Sequence, residues 1–439
     1  MRNKRLTAAI AIVLGTISLG AQADSLSDIF TQGHVDGELR TYYFSRLFGA
    51  PNTTDANALA VGALINFRSG SFANGFSLGG SFLTANSLGT QSGNPAAIDT
   101  TLMGPTNSIS SLGQAYLQYQ NDWMQVRAGY QYLNTPWMGS SDSRVLPASY
   151  NAVSAVFKPM KGWDIFALRS FEWKGRTASG YYNDNLYYPP TYRGDSSYGG
   201  IGGLPATATQ ANGAYALGTA YASGGFKAQA WYYDFRQFAR MGYVDGSYTF
   251  KTGTGFDPFI AAQYVTESGG SNNKLVSNNV ALFGVSGTRV KSNTWGTDVG
   301  VNIPNGKFEV GYNKIAQEAG AVGDGALISP YTAAYATDPL YTTSMIRGLV
   351  EQGPGHAWKA KLTYGFLDNH LVLMTSYAKY TTVQRGNSHN IYVDLTYNFS
   401  GYLKGLSVRD RWERAIGGVG LNPGNGSFTY NRVMIAYKF

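Results

Sequence analysis

Basic side chains at alternate positions are the residues of this sequence best suited to chemistry. Residues 405–415 read GLSVRDRWERA, and in an extended strand Arg409 and Arg411 share one face while Val408 and Trp412 lie on the other. A guanidinium group presents a fixed fork of donors that fits a carboxylate, so successive arginines provide successive weak sites for an acid. Such a strand is typical either of a solvated surface or of a polar wall that attracts anions.

The same alternation places further basic residues on the polar faces of predicted strands. These residues are Arg40, Arg127, Lys227, Lys359, Lys361 and Arg432. Asp298, Asp394 and Glu309 are candidate carboxylates on those faces and would balance part of the charge. Two interpretations stay open for each basic residue, a solvated charge or a group that guides anions. We favour guidance for the Arg409–Arg411 pair.

The remaining residue types do not indicate a catalytic site or a metal site. The chain has no cysteine and four histidines, His34, His356, His370 and His389. In the segment SHN, Ser388 and His389 point to opposite faces of a strand, so they do not form a nucleophile–base pair within it. No metal, nucleotide or nucleic-acid-binding motif is present, and we expect no enzymatic activity, no cofactor and no nucleic-acid partner.

Period-two alternation organises most of the chain into strands. In SHNIYVDLTYNF, for example, Ile391, Val393 and Leu395 lie opposite Tyr392 and Asp394. We predict eighteen strands, with sixteen as the alternative count. They lie near 34–44, 58–67, 75–85, 111–120, 123–132, 150–157, 163–173, 212–222, 226–235, 239–250, 256–266, 293–303, 307–316, 356–366, 370–380, 388–399, 405–415 and 429–439.

The N-terminus has the layout of a secretory signal peptide. MRNKR supplies a positive region, LTAAIAIVLGTISLG is apolar, and AQA offers small residues at the cleavage positions Ala21 and Ala23. We therefore expect residues 1–23 to be removed, with an uncleaved anchor as the alternative. The chain that remains, 24–439, is predicted to form one domain.

The links between strands alternate in length. ND (121–122), SGG (223–225), PNG (304–306) and LDN (367–369) are tight turns, whereas 86–110, 174–210, 267–291 and 317–355 are long and rich in Gly, Ser, Asn and Tyr. This alternation is typical of an outer-membrane barrel. The predicted fold is therefore an all-β, transmembrane, antiparallel up-and-down β-barrel with short periplasmic turns and long extracellular loops.

The last strand also fits an outer-membrane barrel. In TYNRVMIAYKF, apolar and polar residues alternate up to the terminal Phe439. A terminal aromatic residue of this kind is similar to the signal by which such barrels are selected for insertion, so the barrel assembly machinery is an expected partner.

Selectivity in a wide barrel requires a loop that narrows the lumen. The stretch 133–150, LNTPWMGSSDSRVLPASY, is polar and contains two prolines, and it is one candidate for this role. The 174–210 loop is an equally plausible constriction on these grounds alone.

Four segments resemble the OprD-type substrate-specific porins of Pseudomonas and related bacteria. They are GELRTYYF (37–44), SDSRVLPASYNAV, DPLYTTSMI (338–346) with the following AWKAKLTYGF, and GLSVRDRWERA. They occur in the family's order and span the mature chain. One departure is Asp410, since the family has an apolar residue between the two arginines; strict alternation points Asp410 toward lipid.

The resemblance implies a barrel of eighteen strands, monomeric or loosely trimeric, whose third loop constricts the lumen. It assigns Arg409 and Arg411 to a ladder of basic residues and Arg144 to the loop, with Asp142 and Ser143 beside it, and Arg40 to the first strand. Asp298 and Asp394 are candidates for the family's carboxylates that bind a substrate ammonium group.

The expected function is passive, substrate-selective diffusion of small carboxylate-bearing solutes, such as amino acids and aromatic or other organic acids. Arg40, Arg127, Lys359, Lys361, Arg409 and Arg411 would guide the solute. The expected location is the outer membrane of a Gram-negative bacterium, with its lipid and lipopolysaccharide as surroundings. The alternatives are an outer-membrane adhesin or receptor and a barrel hydrolase.

Overall fold

Long strands account for most of the computed structural model, which describes residues 30–189 and 203–439. The expected signal peptide, 1–23, lies outside the described residues. The long strands are β1 (His34–Phe48), β2 (Ala56–Arg68), β3 (Phe76–Asn86), β4 (Ser108–Gln120), β5 (Met124–Gln131), β6 (Ser149–Met160), β7 (Trp163–Lys174), β8 (Ala214–Ser223), β9 (Phe226–Phe235), β10 (Ala239–Thr249), β11 (Asp257–Gly269), β12 (Val290–Ile303), β13 (Gly306–Ile315), β14 (Gly355–Phe366), β15 (Leu371–Thr382), β16 (Gly386–Asn398), β17 (Leu406–Gly417) and β18 (Phe428–Lys438).

These eighteen strands form one closed antiparallel barrel. Each strand pairs with its neighbours in the chain, and β1 pairs with β18 from Glu38↔Lys438 to Phe48↔Phe428. The predicted fold class and the count of eighteen are therefore confirmed. Closure matters because the backbone N–H and C=O groups of a sheet that crosses lipid must all be paired. Within the described residues, no helix is both long enough and apolar enough to cross a membrane.

The two faces of the wall follow the period-two pattern of the sequence. In β1, Tyr42 and Phe44 are buried inside the barrel, whereas Leu39, Tyr43 and Leu47 are about half exposed on its outer surface. Asp410 lies on the outer face, as alternation predicts, and its Oδ1 accepts a hydrogen bond of 2.6 Å from the Asn431 side chain on the adjacent strand β18. This bond offsets part of the cost of a polar group on that face.

The long links, 87–107, 132–148, 175–213, 270–289 and 316–354, all join strand ends at one end of the barrel, as predicted; of 175–213, the structure describes 175–189 and 203–213. Several of these links fold inward. Side chains of all five links are buried in the hydrophobic clusters, including Leu102, Trp137, Leu186, Leu282 and Leu327. These loops therefore occupy part of the lumen and cover apolar residues of the wall.

The 132–148 loop crosses the lumen between nearly opposite walls. At one end, Val145 packs against Gly62 of β2, where a Cβ atom would lie only 2.5 Å from the Val145 side chain. At the other end, the Trp137 ring meets Tyr243 of β10 edge-on at a centroid distance of 6.0 Å. The loop also contains a two-residue ribbon, 134–135 paired with 138–139.

Candidate functional site

A cavity of about 280 Å³ lies inside the barrel between strands β14–β18 and the inward-folded loops, and we call it the eyelet cavity. Its wall residues are Lys359, Lys361, Met374, Ser376, Tyr392, Asp394, Arg409, Arg411 and Arg432, and its loop residues are Ser143, Tyr335, Ala336, Thr337, Thr343, Ser344 and Met345. Two loops thus contribute, 132–148 and 316–354.

Arg409 and Arg411 share one carboxylate. Asp394 lies opposite Arg411 in the β16–β17 register, with Thr396 opposite Arg409. Asp394 accepts hydrogen bonds of 2.7 and 2.5 Å from Arg409 and lies 3.2 Å from the Nε of Arg411. Because two guanidinium groups face one carboxylate, a positive charge remains. The Arg409 side chain is 39% exposed and Asp394 only 6%, so the cation is the accessible partner.

A phenol connects the members of this cluster. The Tyr392 hydroxyl donates to Asp394 at 2.5 Å and accepts from the Nε of Arg411 at 2.8 Å. The donors and acceptors of this cluster therefore hold one another in fixed positions.

Two lysines of β14 continue the basic wall. The ammonium of Lys359 donates to the Thr343 carbonyl at 2.6 Å, so this lysine also holds the 316–354 loop. Lys361 forms an ion pair with Glu309 of β13, which Lys307 shares. Glu309 thus balances part of the charge, as the solvated-charge interpretation expected.

Arg432 of β18 lies deeper, between aromatic rings. Its guanidinium carbon is 4.2 Å from the Tyr430 ring centroid and 5.3 Å from that of Phe44, and its Nε has no hydrogen-bond partner within the described part of the chain. A buried cation without a full set of acceptors favours an incoming anion.

Arg144 approaches the other side of Phe44, with 5.5 Å between its guanidinium carbon and the ring centroid. Its Nε donates to the Thr101 carbonyl at 3.0 Å. Burial is the main cause that lowers the pKa of Arg144 to about 9, and the neighbouring Arg176 cation contributes as well. A nearby anion would raise this pKa again.

Arg40 holds the 132–148 loop against the wall. It donates to the two Asp142 oxygens at 2.6 and 2.8 Å and to the carbonyls of Arg144 and Val145 at 3.2 Å each. It also pairs with Glu38 at 2.9 Å. Both Nη groups are thus engaged, the Nε has no hydrogen-bond partner among the described residues, and Arg40 does not line the eyelet cavity.

Two further predicted residues lie away from the cavity. Arg127 bonds to the Gln118 amide oxygen at 2.8 and 3.2 Å and stacks over Tyr116. Asp298 is buried on the lumen face of β12, and its Oδ1 has no hydrogen-bond partner among the described residues. Lys359, Lys361, Arg409, Arg411, Asp394 and Ser143 are the predicted site residues that the fold brings together.

The sequence analysis did not predict that the 316–354 loop lines the eyelet cavity. Glu413 of β17 accepts the backbone N–H groups of Met345 and Ile346 at 2.8 and 3.2 Å, which fixes that loop against the arginine wall. Arg176 ties the loops together by stacking over Tyr335 at 3.4 Å and bonding to Ser141 and Ser143. The composition of this loop could have indicated that it is buried, since 326–350 contains few charges and many apolar residues.

A search of protein-family models finds no match to this chain, and a search of curated proteins finds none either. Several solved structures are similar along almost the whole chain. A BenF-like porin from Pseudomonas fluorescens Pf-5 has a TM-score of 0.76 at 15% identity, covering 94% of this chain and 99% of that one. OccK9 (OpdG) of Pseudomonas aeruginosa has a TM-score of 0.75 at 16% identity, with the same coverage of both chains. OpdK of Pseudomonas aeruginosa, solved with vanillate, has a TM-score of 0.70 at 16% identity, again with the same coverage. The chain therefore has the fold of the OprD-type porins.

Proposed function

We propose that this protein is a porin of the Gram-negative outer membrane, a passive channel for small solutes that bear a carboxylate. The observation that supports this most directly is the eyelet cavity. Its lining contains Lys359, Lys361, Arg409, Arg411 and Arg432 and, within the described residues, a single carboxylate, Asp394. The proposed process involves no bond making or breaking and no cofactor.

A channel must attract its solute without retaining it. The excess of positive charge in a narrow, low-dielectric site raises the local concentration of anions. Asp394, held between two arginines, weakens each of them as a binding partner. A carboxylate can thus exchange from one guanidinium to the next, because no single site is strong enough to trap it.

Aromatic groups next to these cations favour organic acids over simple ions. Tyr392, Tyr335 and the Phe44–Tyr430 pair, whose centroids are 5.9 Å apart, lie at or near the basic wall. OpdK, one of the structurally similar proteins, was solved with vanillate, an aromatic carboxylate. We therefore propose aromatic and other small organic acids as the substrate class, with amino acids as a further group to be tested.

Planar-bilayer recordings of the purified protein test the proposal. We expect discrete channels that prefer anions. In the variant Arg409→Gln/Arg411→Gln, we expect the flux of benzoate and vanillate to fall by about tenfold or more, since these charges concentrate the acid at the narrowest point.

Lys227→Gln is the matched control, because this lysine faces the lumen at the turn end of β9, outside the eyelet cavity. Its acid flux should stay close to that of the native protein. If the native protein shows no conductance, the channel proposal is wrong; if it conducts but the double variant keeps its acid flux, the assignment of the two arginines is wrong.

A further inference from the structure

A second cluster of cations lies outside the lumen, at the long-loop end of strands β9–β12. A cleft of about 1050 Å³ opens there between the 236–238 turn and the 270–289 loop, and we call it the rim cleft. Arg236, Arg240, Arg289 and Lys291 line it. All four are exposed, and they take no part in the eyelet cavity.

Two cations of the rim cleft, Arg240 and Lys291, face the lipid side of the wall. Arg240 shares its face of β10 with Val244, which is 48% exposed, and Lys291 shares its face of β12 with Trp295, which is 44% exposed. Ser268 of β11 pairs with both, so Arg240, Ser268 and Lys291 form a row across three strands. At a strand spacing of about 4.8 Å, the two cations of this row are roughly 10 Å apart along the surface.

Nearby carboxylates neutralise this cluster only in part. Asp234 lies 3.6 Å from Arg236, and Glu318 pairs with Lys291 at 2.8 Å. Arg289 bonds to the neutral Ala319 carbonyl at 3.0 Å. The side chain of Arg240 has neither a hydrogen bond nor an ion pair within the described residues, although Asp234 lies opposite it in the β9–β10 register.

Arg169 extends the cluster toward β7. Its guanidinium carbon lies 4.3 Å from the ring centroid of Tyr215, and that of Arg236 lies 5.7 Å from the same ring. Tyr215 is 46% exposed on the outer face. An exposed aromatic ring flanked by two cations suits the boundary between acyl chains and charged headgroups.

The opposite end of these strands differs. Its outer face has Phe226, Tyr248 and Phe250, which are exposed and apolar or aromatic. Lys251, in the link at that end, is paired with Asp257 at 2.9 Å. The excess of positive charge is therefore a property of the long-loop end of this wall.

We infer that the rim cleft binds the phosphate groups of a lipid of the outer leaflet, with a phosphorylated glycolipid such as lipid A as its occupant. The inference rests on the proposed location in the outer membrane, with the long loops outside. Cations directed toward the headgroup layer meet phosphate there, and arginine in particular can bind phosphate through two parallel hydrogen bonds. The row of Arg240 and Lys291 can hold two phosphates of one headgroup or of adjacent molecules.

Native mass spectrometry of the folded barrel in detergent, titrated with purified diphosphoryl lipid A, tests this inference. We expect Arg240→Gln/Lys291→Gln to weaken lipid A binding by about thirtyfold, taking about fivefold for each cation near a phosphate. Arg240→Lys/Lys291→Arg keeps both charges and should bind like the native protein. Lys161→Gln/Lys404→Gln removes two exposed cations from the turn end and is the matched control.

The inference would be overturned by unchanged binding in the Arg240→Gln/Lys291→Gln variant, by an equal loss in the turn-end control, or by equal affinity for lipid A stripped of its phosphates. Complete competition by inorganic phosphate at the same phosphate concentration would also overturn it, since the site would then bind free phosphate rather than lipid. Bilayer conductance of the same variants should match the native protein, because these side chains lie outside the lumen. Failure of the channel proposal and failure of the lipid site are thus separate outcomes.

Discussion

Basic residues on the lumen face of this barrel are of two kinds, those accessible from the lumen and those that anchor a loop. The residue type alone does not distinguish them. Arg409, which shares Asp394 with Arg411, keeps an exposed side chain (39%), whereas Arg411 is largely buried (12%). Arg40 is buried, and its two Nη groups bond to Asp142 and to backbone carbonyls of the 132–148 loop. Alternation predicted the lumen face correctly for all three, but the number of partners decides whether a cation is accessible to a solute.

Arg40→Gln should therefore act through the loop. The change removes the ion pair with Asp142 and the charge-assisted bonds to two carbonyls, a loss of about 1–3 kcal/mol of loop anchoring since Asp142 is partly exposed. We expect higher single-channel conductance and weaker discrimination between solutes, together with faster hydrogen exchange in the 132–148 loop. Asp142→Asn should give a similar but smaller change. A fall in anion preference at unchanged conductance would instead mean that Arg40 guides the solute directly.

Loops and strands differ in how far their positions follow from the local sequence. The 132–148 loop crosses the lumen because particular side chains meet particular wall sites, such as Val145 at Gly62 and Trp137 at Tyr243. These contacts join residues far apart in the chain, and no local pattern encodes them. The sequence therefore left 133–150 and 174–210 as equal candidates for the constriction, and only the apolar composition of 326–350 indicated that the 316–354 loop folds inward.

Gly62→Val tests the contact at the wall end of the 132–148 loop. The new side chain would overlap Val145, because a Cβ at this position is already 2.5 Å from its Cγ2 atom. Overpacking of this kind costs about 1–3 kcal/mol, and we expect the loop to shift away from β2 with altered conductance and faster hydrogen exchange. Gly80→Val is the control, since the nearest atom to a Cβ there is 3.9 Å away. Equal effects of the two substitutions would rule out this contact as the cause.

The barrel as a whole could be predicted because the alternation of apolar and polar residues is visible within each short stretch of sequence. A closed wall between lipid and a polar interior requires alternate residues to differ, and this alternation identified the eighteen strands to within a few residues. The closed wall also allowed the lumen and lipid faces to be assigned, including the outward position of Asp410. Its hydrogen bond to Asn431 depends on the β17–β18 register, which the sequence alone did not provide.

Phe439 extends the pairing of the first and last strands by one residue. The backbone of Phe439 exchanges two hydrogen bonds with Gly37, at 3.0 and 3.1 Å, and its ring lies against Gly37, where a Cβ would be 2.6 Å away. The ring is nevertheless about half exposed, so its burial contributes little to the stability of the closed barrel.

We expect Phe439→Ala to fold in detergent almost as well as the native chain, as judged by heat-modifiable migration on gels. In cells we expect it to insert poorly, as judged by the amount in outer-membrane fractions. Phe439→Tyr, which keeps an aromatic terminus, should insert normally. A matching defect in detergent and in cells would mean that Phe439 acts through stability, whereas a defect in cells alone would identify it as a signal for the assembly machinery.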